Sequence, residues 1–434
     1  MDFLWNEYTR NALRQPPHQQ MVGRWQVNYL AFHGPEGRQR TPLIVLGGAF
    51  QNFNSFKYCI EALLEEVPVI MVDLPSLGDN TQLAPELGME DLADLLHQWV
   101  LRNDLNKVAL MGLSLGSVIA STFAYKYPES TERLIVTGIL PKPRKSWRML
   151  LEESLRVLDE GRLDEFGQAV VLYLVNHARL AETAITDTTR RLFHRQMRSF
   201  SSNEQARYRI NARRLLEVES ILGYPTCPTL VATGEFDSFT PPFENALFAA
   251  RCPQATFALV EGADHVAQLE RREESMAMFA AYLRGTDLSL IPGIRLFAPG
   301  SYERIEHRGE PRFVPCNPHA RVISISRVDG SIAVDVPVRI RDMSFFGCLL
   351  EYGHQGFSLA EHSRDLILCL EGSALRIELL VFEHGEDTMR CLFKHGRFET
   401  AYELKALLDD ESFFRCRFAT ERQSGEVARI YRVG

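Results

Sequence analysis

Ser114, Asp237 and His265 follow one another in that order along the chain, and a hydroxyl, an imidazole and a carboxylate brought together make a serine nucleophile. Ser114 is the centre of Gly112-Leu113-Ser114-Leu115-Gly116, with the apolar run "VALM" before it and "SVIAS" after it. A serine on a tight strand-to-helix turn needs small residues two before and two after it, because larger side chains would collide there. Gly112 and Gly116 meet that need. Such a turn lifts the hydroxyl above a sheet and aims the Leu115 amide, at the start of the helix, toward a developing oxyanion. The glycine-rich loop "VLGGAF" offers the Ala49 amide as the second donor. Any strand-to-helix turn favours glycine, so the pentapeptide alone carries little.

Its partners carry more. Asp237 follows "PTLVATG" in "GEFDSFTPP", and His265 follows "ATFALVEG" in "GADHVAQLE", so each closes its own strand-like run. Singly, the aspartate reads as a turn or cap residue and the histidine as structural. In order, on separate strand ends, they read with Ser114 as a triad. His265 would take the proton from Ser114, while Asp237 fixes its tautomer and stabilises the imidazolium. Asp264 is a second carboxylate, but from its place directly before the histidine it points elsewhere and reads as a cap for the next helix.

A second set lies downstream. "HRGEPR" places Arg308 and Arg312 in R-x-x-x-R spacing, and "RDMSFFG" places Asp342, Ser344 and Gly347 in D-x-S-x-x-G spacing. Separately, the first reads as solvated charge and the second as an ordinary turn.

A triad of this kind needs a buried parallel sheet beneath it. From Pro42 to about Gly262, "PLIVLGG", "VPVIMVDLP", "KVALMG", "RLIVTGI", "PTLVATG" and "ATFALVEG" alternate with helical segments. Continuous apolar runs suit strands covered on both faces, and interleaved helices make the sheet parallel, which predicts a doubly wound α/β fold. "GRWQVNYLAF" predicts an antiparallel strand at the edge. Between residues 141 and 224 apolar residues recur at three- and four-residue intervals with no strand candidate, which predicts a helical insertion over the carboxyl ends of the strands. Residues 286–307 read as a linker rich in Gly, Pro and charge. Beyond it, turn-separated strand-like runs from "ARVISIS" to "TMRCLFKH" and the late helix "ETAYELKALLDDE" predict a small all-β barrel or sandwich.

Composition bounds the partners. A chain of 434 residues exceeds one core, and a net charge of −8 with 45% hydrophobic residues gives no basic excess for nucleic acid. Eight cysteines without C-x-x-C or Cys/His metal spacing read as reduced thiols, with no metal expected. "MDFLWNEYTRNALRQPPHQQ" reads as neither a signal peptide nor a membrane span, so a cytoplasmic protein is expected. Oligomeric state is left open.

Residues 23 to 284 resemble the α/β-hydrolase superfamily, with a helical cap at 141–224. "GGAFQNFNSF", "DLPSLGDN", "NEQARYRINARRLLEVE", "GEFDSFTPP" and "VEGADHVAQLE" resemble more closely the bacterial acyltransferases that make the lipid half of rhamnolipids, the 3-(3-hydroxyalkanoyloxy)alkanoate synthases. That resemblance implies acylation of Ser114 by an activated 3-hydroxyacyl chain, then attack by the hydroxyl of a second chain. "FGQAVVLYLV" in the cap would suit an acyl tunnel, and equally a helix packed on a neighbour. Leu115 and the Gly112-Leu113 pair are closer to general esterases, so the acceptor, water or hydroxyl, stays open.

The arginine pair and the D-x-S-x-x-G run together resemble the PilZ family, which binds cyclic di-GMP. The resemblance implies a flexible arm before the first strand of the barrel, from which Arg308 and Arg312 close over two phosphates and two guanine faces, with Asp342 on a guanine N–H edge, Ser344 on a phosphate or the turn, and Gly347 allowing close approach. The expectation is therefore an α/β-hydrolase domain at 1–285, a linker at 286–307 and a PilZ-like barrel at 308–434. Its activity would be that of an acyltransferase or esterase on (3-hydroxy)acyl thioesters or esters, without a catalytic cofactor and regulated by cyclic di-GMP. The rival from another class is a cyclic di-GMP-responsive adapter whose hydrolase half is a scaffold.

Overall fold

Nine strands form the first sheet: β1 (His18–Val22), β2 (Trp25–Phe32), β3 (Leu43–Leu46), β4 (Val69–Asp73), β5 (Val108–Leu113), β6 (Thr131–Thr137), β7 (Thr229–Gly234), β8 (Ala255–Val260) and β9 (Ile294–Phe297). These belong to a computed structural model that describes residues 3–9, 11–34, 40–302, 310–325, 331–353, 365–420 and 430–432, with backbone alone for 416–420 and 430–432. Arg308 lies outside the described residues. The order is β1-β2-β4-β3-β5-β6-β7-β8-β9. Pairings from β4 through β3 to β8 are parallel, while β1/β2, β2/β4 and β8/β9 are antiparallel. Every residue of β3, β4, β5 and β7 is buried, as strands covered on both faces require. Helices α1 (Ile60–Leu64), α2 (Met89–Arg102) and α3 (Leu115–Lys126) supply part of that cover. Trp99 and Phe123 pack on one face, and Leu63 with Phe279 on the other.

The insertion is helical as expected: α4 (Lys145–Asp159), α5 (Leu163–Leu174), α6 (Asp187–Arg198) and α7 (Ser202–Glu217). After it come α8 (Pro242–Ala249), α9 (Ala267–Glu270) and α10 (Arg272–Arg284). The region expected as linker contains β9, whose register Phe257↔Phe297 to Val260↔Ile294 extends the sheet. Its four residues, "IRLF", are too short a run to stand out from their Gly- and Pro-rich surroundings.

The carboxyl-terminal strands are β10 (Arg312–Pro315), β11 (His319–Ile325), β12 (Ile332–Ser344), β13 (Gly347–Glu351), β14 (Leu366–Leu370), β15 (Arg376–His384), β16 (Thr388–Phe393), β17 (Phe414–Thr420) and β18 (Ile430–Arg432), with α11 (Phe398–Asp409) before the last two. Strands β11, β14, β15, β16, β13 and β12 pair antiparallel in that order, and β12 pairs back to β11. This closed six-stranded ring fits a PilZ-like barrel. Val322, Ile340, Leu350, Leu368 and Phe393 fill it, and Leu404 of α11 joins them. Closure removes sheet edges and lets alternation put one face of each strand inside.

The chain divides into two compact units: Met1–Pro143, Ala181–Asp187 and Phe200–Tyr302 in the first, Arg144–Leu180, Thr188–Ser199 and Glu303–Gly434 in the second. The insertion is therefore shared out. Helix α7 stays with the sheet, whereas α4, α5 and most of α6 join the barrel. The reason is apolar burial, since Leu172 of α5 is fully buried in the barrel's own core. Of the two uses expected for "FGQAVVLYLV", an acyl tunnel or a helix packed on a neighbour, Leu172 thus takes the second.

Two buried imidazoles bear on the second unit's acid stability. Burial, with Arg190 beside it and against a bond to Val175 O, pushes His177 down to about 4. Burial, with His177 nearby and against a bond to Phe345 O, pushes His395 down to about 4. Unfolded imidazoles titrate near ~6.5, so between these values the unfolded chain holds more protons than the native one. Stability is complete above that window and falls as pH drops through it, by on the order of a few kcal/mol in all. Protection factors for amide hydrogen exchange in β16 and α11, taken against the intrinsic rate at each pH, should fall on acidification from pH ~7 to ~4.5, and unchanged protection would refute the buried neutral state.

Candidate active site

Ser114 follows β5 and occupies the position before α3 with φ +49° and ψ −112°, a left-handed conformation that a residue with a side chain adopts only under constraint. The constraint is visible on both sides. A Cβ at Gly112 would lie 2.4 Å from Gly116 O, and one at Gly116 would lie 2.4 Å from Leu46 O. Ser117 Oγ stitches the turn by donating to Gly112 O and Thr137 O at 2.7 and 2.8 Å. Serine at a helix start ordinarily caps with its hydroxyl, but Ser114 makes no such bond. Its Oγ is 3.1 Å from His265 Nε2 instead.

His265 Nδ1 is 2.9 Å from Asp237 Oδ2, with both side chains nearly fully buried. Asp237 also accepts from Phe239 N (2.9 Å), Thr240 N (2.7 Å), Thr240 Oγ1 (2.7 Å) and Thr233 Oγ1 (3.1 Å). Burial would raise its carboxyl, yet the charge of His265 and the bonds from His265 and Thr240 hold it below the ordinary value. The carboxylate is therefore ionised at neutral pH, and His265 is oriented with Nδ1–H toward it and Nε2 toward Ser114. The expected three residues are brought together in hydrogen-bonded series.

Leu115 is the first residue of α3, so its amide is among the donors a helix start leaves without an intrahelical partner. Gly48 N–H is taken by Gln51 Oε1 at 2.7 Å, whereas among the described residues the Ala49 amide has no acceptor. A Cβ on Gly48 would lie 3.3 Å from the Ser114 Cβ, so this loop abuts the hydroxyl. Phe50 stacks on Tyr208 of α7 with centroids 5.4 Å apart. An aromatic wall thus stands beside the Ala49 amide.

Sequence reasoning missed two positioning residues. Thr240 Oγ1 lies 3.0 Å from His265 Nδ1 as well as bonding Asp237. Gly138, at φ +68°, leaves room that a Cβ would take, 2.9 Å from His265 Cε1. The signals were the threonine three residues after Asp237 and the glycine closing the run "RLIVTG". Thr240→Val should lower kcat about 10-fold with KM unchanged, the size of one hydrogen bond to a charged group. A kcat equal to wild type would show that the bond positions nothing. Asp264 needs a correction: the cap position of α9 is Val266, with no side-chain cap, and Asp264 donates its amide to Glu270 Oε2 at 3.1 Å. The chain turns between His265 and α9, which carries Asp264 away from the helix start.

In the second unit Arg312, Asp342, Ser344 and Gly347 also meet. The Arg312 guanidinium bonds Asp342 Oδ1, Ser344 Oγ at 3.1 Å and Gly347 O at 3.4 Å. Arg312 opens β10 instead of riding on a free arm, because β10 is held between β12 and β17. A Cβ on Gly347 would lie 2.3 Å from Cys391 O, so the close approach this glycine permits is that of strand β16.

The alpha/beta hydrolase fold family profile matches residues 41–272, and the chain belongs to that family. It is 23% identical over 240 residues, 55% of this chain and 90% of the relative, to a pimeloyl-[acyl-carrier protein] methyl ester esterase of Proteus mirabilis. A shorter stretch of 116 residues, 25% of this chain and 41% of the relative, is 29% identical to a poly(3-hydroxyalkanoate) depolymerase of Ectopseudomonas oleovorans. Among solved structures, the MGS-M2 α/β hydrolase from a Medee basin deep-sea metagenome library superposes with a TM-score of 0.56 at 16% identity, covering 62% of this chain and 98% of that one. The enzyme is thus of hydrolase type, and no described helix is long and apolar enough to cross a membrane.

Proposed function

We propose that the chain is a serine acyl-transfer enzyme on (3-hydroxy)acyl thioesters or esters, switched by cyclic di-GMP bound at the Arg312 cluster. The observation that carries the first half is the strained Ser114, whose hydroxyl forgoes its cap to meet His265. Ser114 Oγ attacks the acyl carbonyl as its proton passes to His265 Nε2, and the Ala49 and Leu115 amides receive the oxyanion. Collapse expels the thiolate or alkoxide, which takes the proton from His265 and leaves acyl-Ser114. Water or the hydroxyl of a second hydroxyacyl chain then gives its proton to His265 and attacks, releasing acid or ester and restoring Ser114. The two curated relatives support this reading, since their names describe ester cleavage, one of a 3-hydroxyalkanoate polymer.

The nucleotide half is supported by the meeting of Arg312, Asp342 and Ser344 around one turn of a six-stranded barrel. Asp342 holds the guanidinium in place until a phosphate competes for it. An adapter role would leave the Ser114 strain without a use.

The test is intact-protein mass spectrometry after incubation with a 3-hydroxyacyl thioester, with and without cyclic di-GMP. An acyl adduct on Ser114, altered in level by the nucleotide, is the expected result. No adduct and no product would overturn the enzyme reading, and an unaltered level with no nucleotide binding would overturn the switch.

A further inference from the structure

We propose that the Asp342–Gly347 turn passes its ligand state to helix α5 through Phe346, His395 and Tyr173, so that a cyclic dinucleotide on the barrel governs acyl chemistry through the helical insertion. This rests on the function proposed above. Within the turn the polar residues Asp342 and Ser344 hold Arg312, while the two aromatics between Ser344 and Gly347 pack elsewhere. Phe345 stacks on His395 at 4.6 Å, and its carbonyl accepts from His395 Nε2 at 2.7 Å. Phe346 lies edge-on to the same imidazole at 5.8 Å and stacks on Tyr173 of α5 at 6.2 Å. Tyr173 in turn donates its hydroxyl to Phe393 O. His395 holds φ +48°, an uncommon conformation for a residue with a side chain, and one that persists only where packing over-determines it. Strained positions of this kind cluster at ligand clamps and switch regions.

Helices α4 and α5 are bound to the barrel around this wedge. Buried Lys394 Nζ is 3.3 Å from Glu153 Oε1 of α4, and Phe398 N donates to Gln168 Oε1 of α5 at 2.7 Å. The insertion's covalent ends lie at the triad's supports. Gly138, which seats His265, precedes α4 in the chain. Ala184, between α5 and α6, donates to Gly262 O at 3.0 Å, just before His265. Phe200, after α6, packs on Phe50 next to Ala49. A shift of α5 therefore pulls on backbone that seats the imidazole and the oxyanion loop.

The test uses the full chain. Tyr173→Phe removes one oxygen and its bond to Phe393, and Phe346→Leu removes the stacked ring. Calorimetry with cyclic di-GMP and turnover of a 3-hydroxyacyl thioester, with and without saturating nucleotide, are measured on each. Both variants should bind within about 3-fold of wild type and turn over within about 2-fold in its absence, while the ratio of rates with and without nucleotide falls toward 1. Hydrogen exchange in residues 163–174 of wild type should change when the nucleotide binds. An undiminished rate response in both variants, or unaltered exchange in α5, overturns the inference and leaves the proposed function standing. A wild type that does not bind the nucleotide, or binds it with no change in rate, overturns the switch and the inference together.

Discussion

Ser114→Ala is expected to lower turnover by about 10⁵-fold and to abolish the acyl adduct, while the thermal melting curve stays within a few degrees of wild type. The size follows from the loss of the bond-forming atom, and the residue left behind still has the oxyanion amides and the binding surface. The Ser114 side chain makes no capping bond, so its removal costs the fold little. Asp237→Asn should lower kcat by on the order of 10⁴-fold, because an amide in that place favours the wrong imidazole tautomer. It should also destabilise the fold, since the amide replaces a carboxylate that accepts from two backbone amides and two threonines. Turnover of Ser114→Ala within about 10-fold of wild type would refute nucleophilic catalysis here, whatever the geometry.

The second large effect is on folding. Gly116→Ala should cost more than about 4 kcal/mol and yield little soluble protein, because the added Cβ meets Leu46 O at 2.4 Å and Gly47 O at 2.8 Å. Both obstacles are backbone, so no rotamer change relieves them. Relief requires α3 to back away from β3, and the loop displaced by that movement is the one that carries Ala49. Whatever folds should therefore also lose oxyanion stabilisation. Gly353→Ala is the control, with nothing among the described residues within 4 Å of its Cβ, and should fall within about 0.5 kcal/mol of wild type. Equal soluble yields and melting temperatures for the two variants would refute the close-packed turn.

The triad was legible because each member sits where a strand ends, and strand ends are written locally. Six apolar runs of buried-strand length gave the sheet, and the residues that follow β5, β7 and β8 gave Ser114, Asp237 and His265. The loop of Gly48 and Ala49 that abuts Ser114 was legible for the same reason. Thr240 and Gly138 were not, because their importance is a distance to His265 across separate strands, and no local pattern encodes it. Asp264 was misread as a cap, since a carboxylate before a helix has several uses and only the path of the turn selects among them. Arg312 was placed on an arm, because the partners that make "RFVP" a strand are β12 and β17, the latter more than a hundred residues later.

Taken by itself, the chain determined which segments are buried, which residues end them, and so which nucleophile, base and acid could meet. Periodicity in α5 also determined that one face of that helix must be covered. It could not determine by what. The tertiary structure assigned that face to the barrel, where Leu172 and Tyr173 meet residues some two hundred positions downstream. The physical reason is that apolar burial is non-directional: a hydrophobic stripe specifies that water be excluded, and only the arrangement of all the other elements decides which surface excludes it.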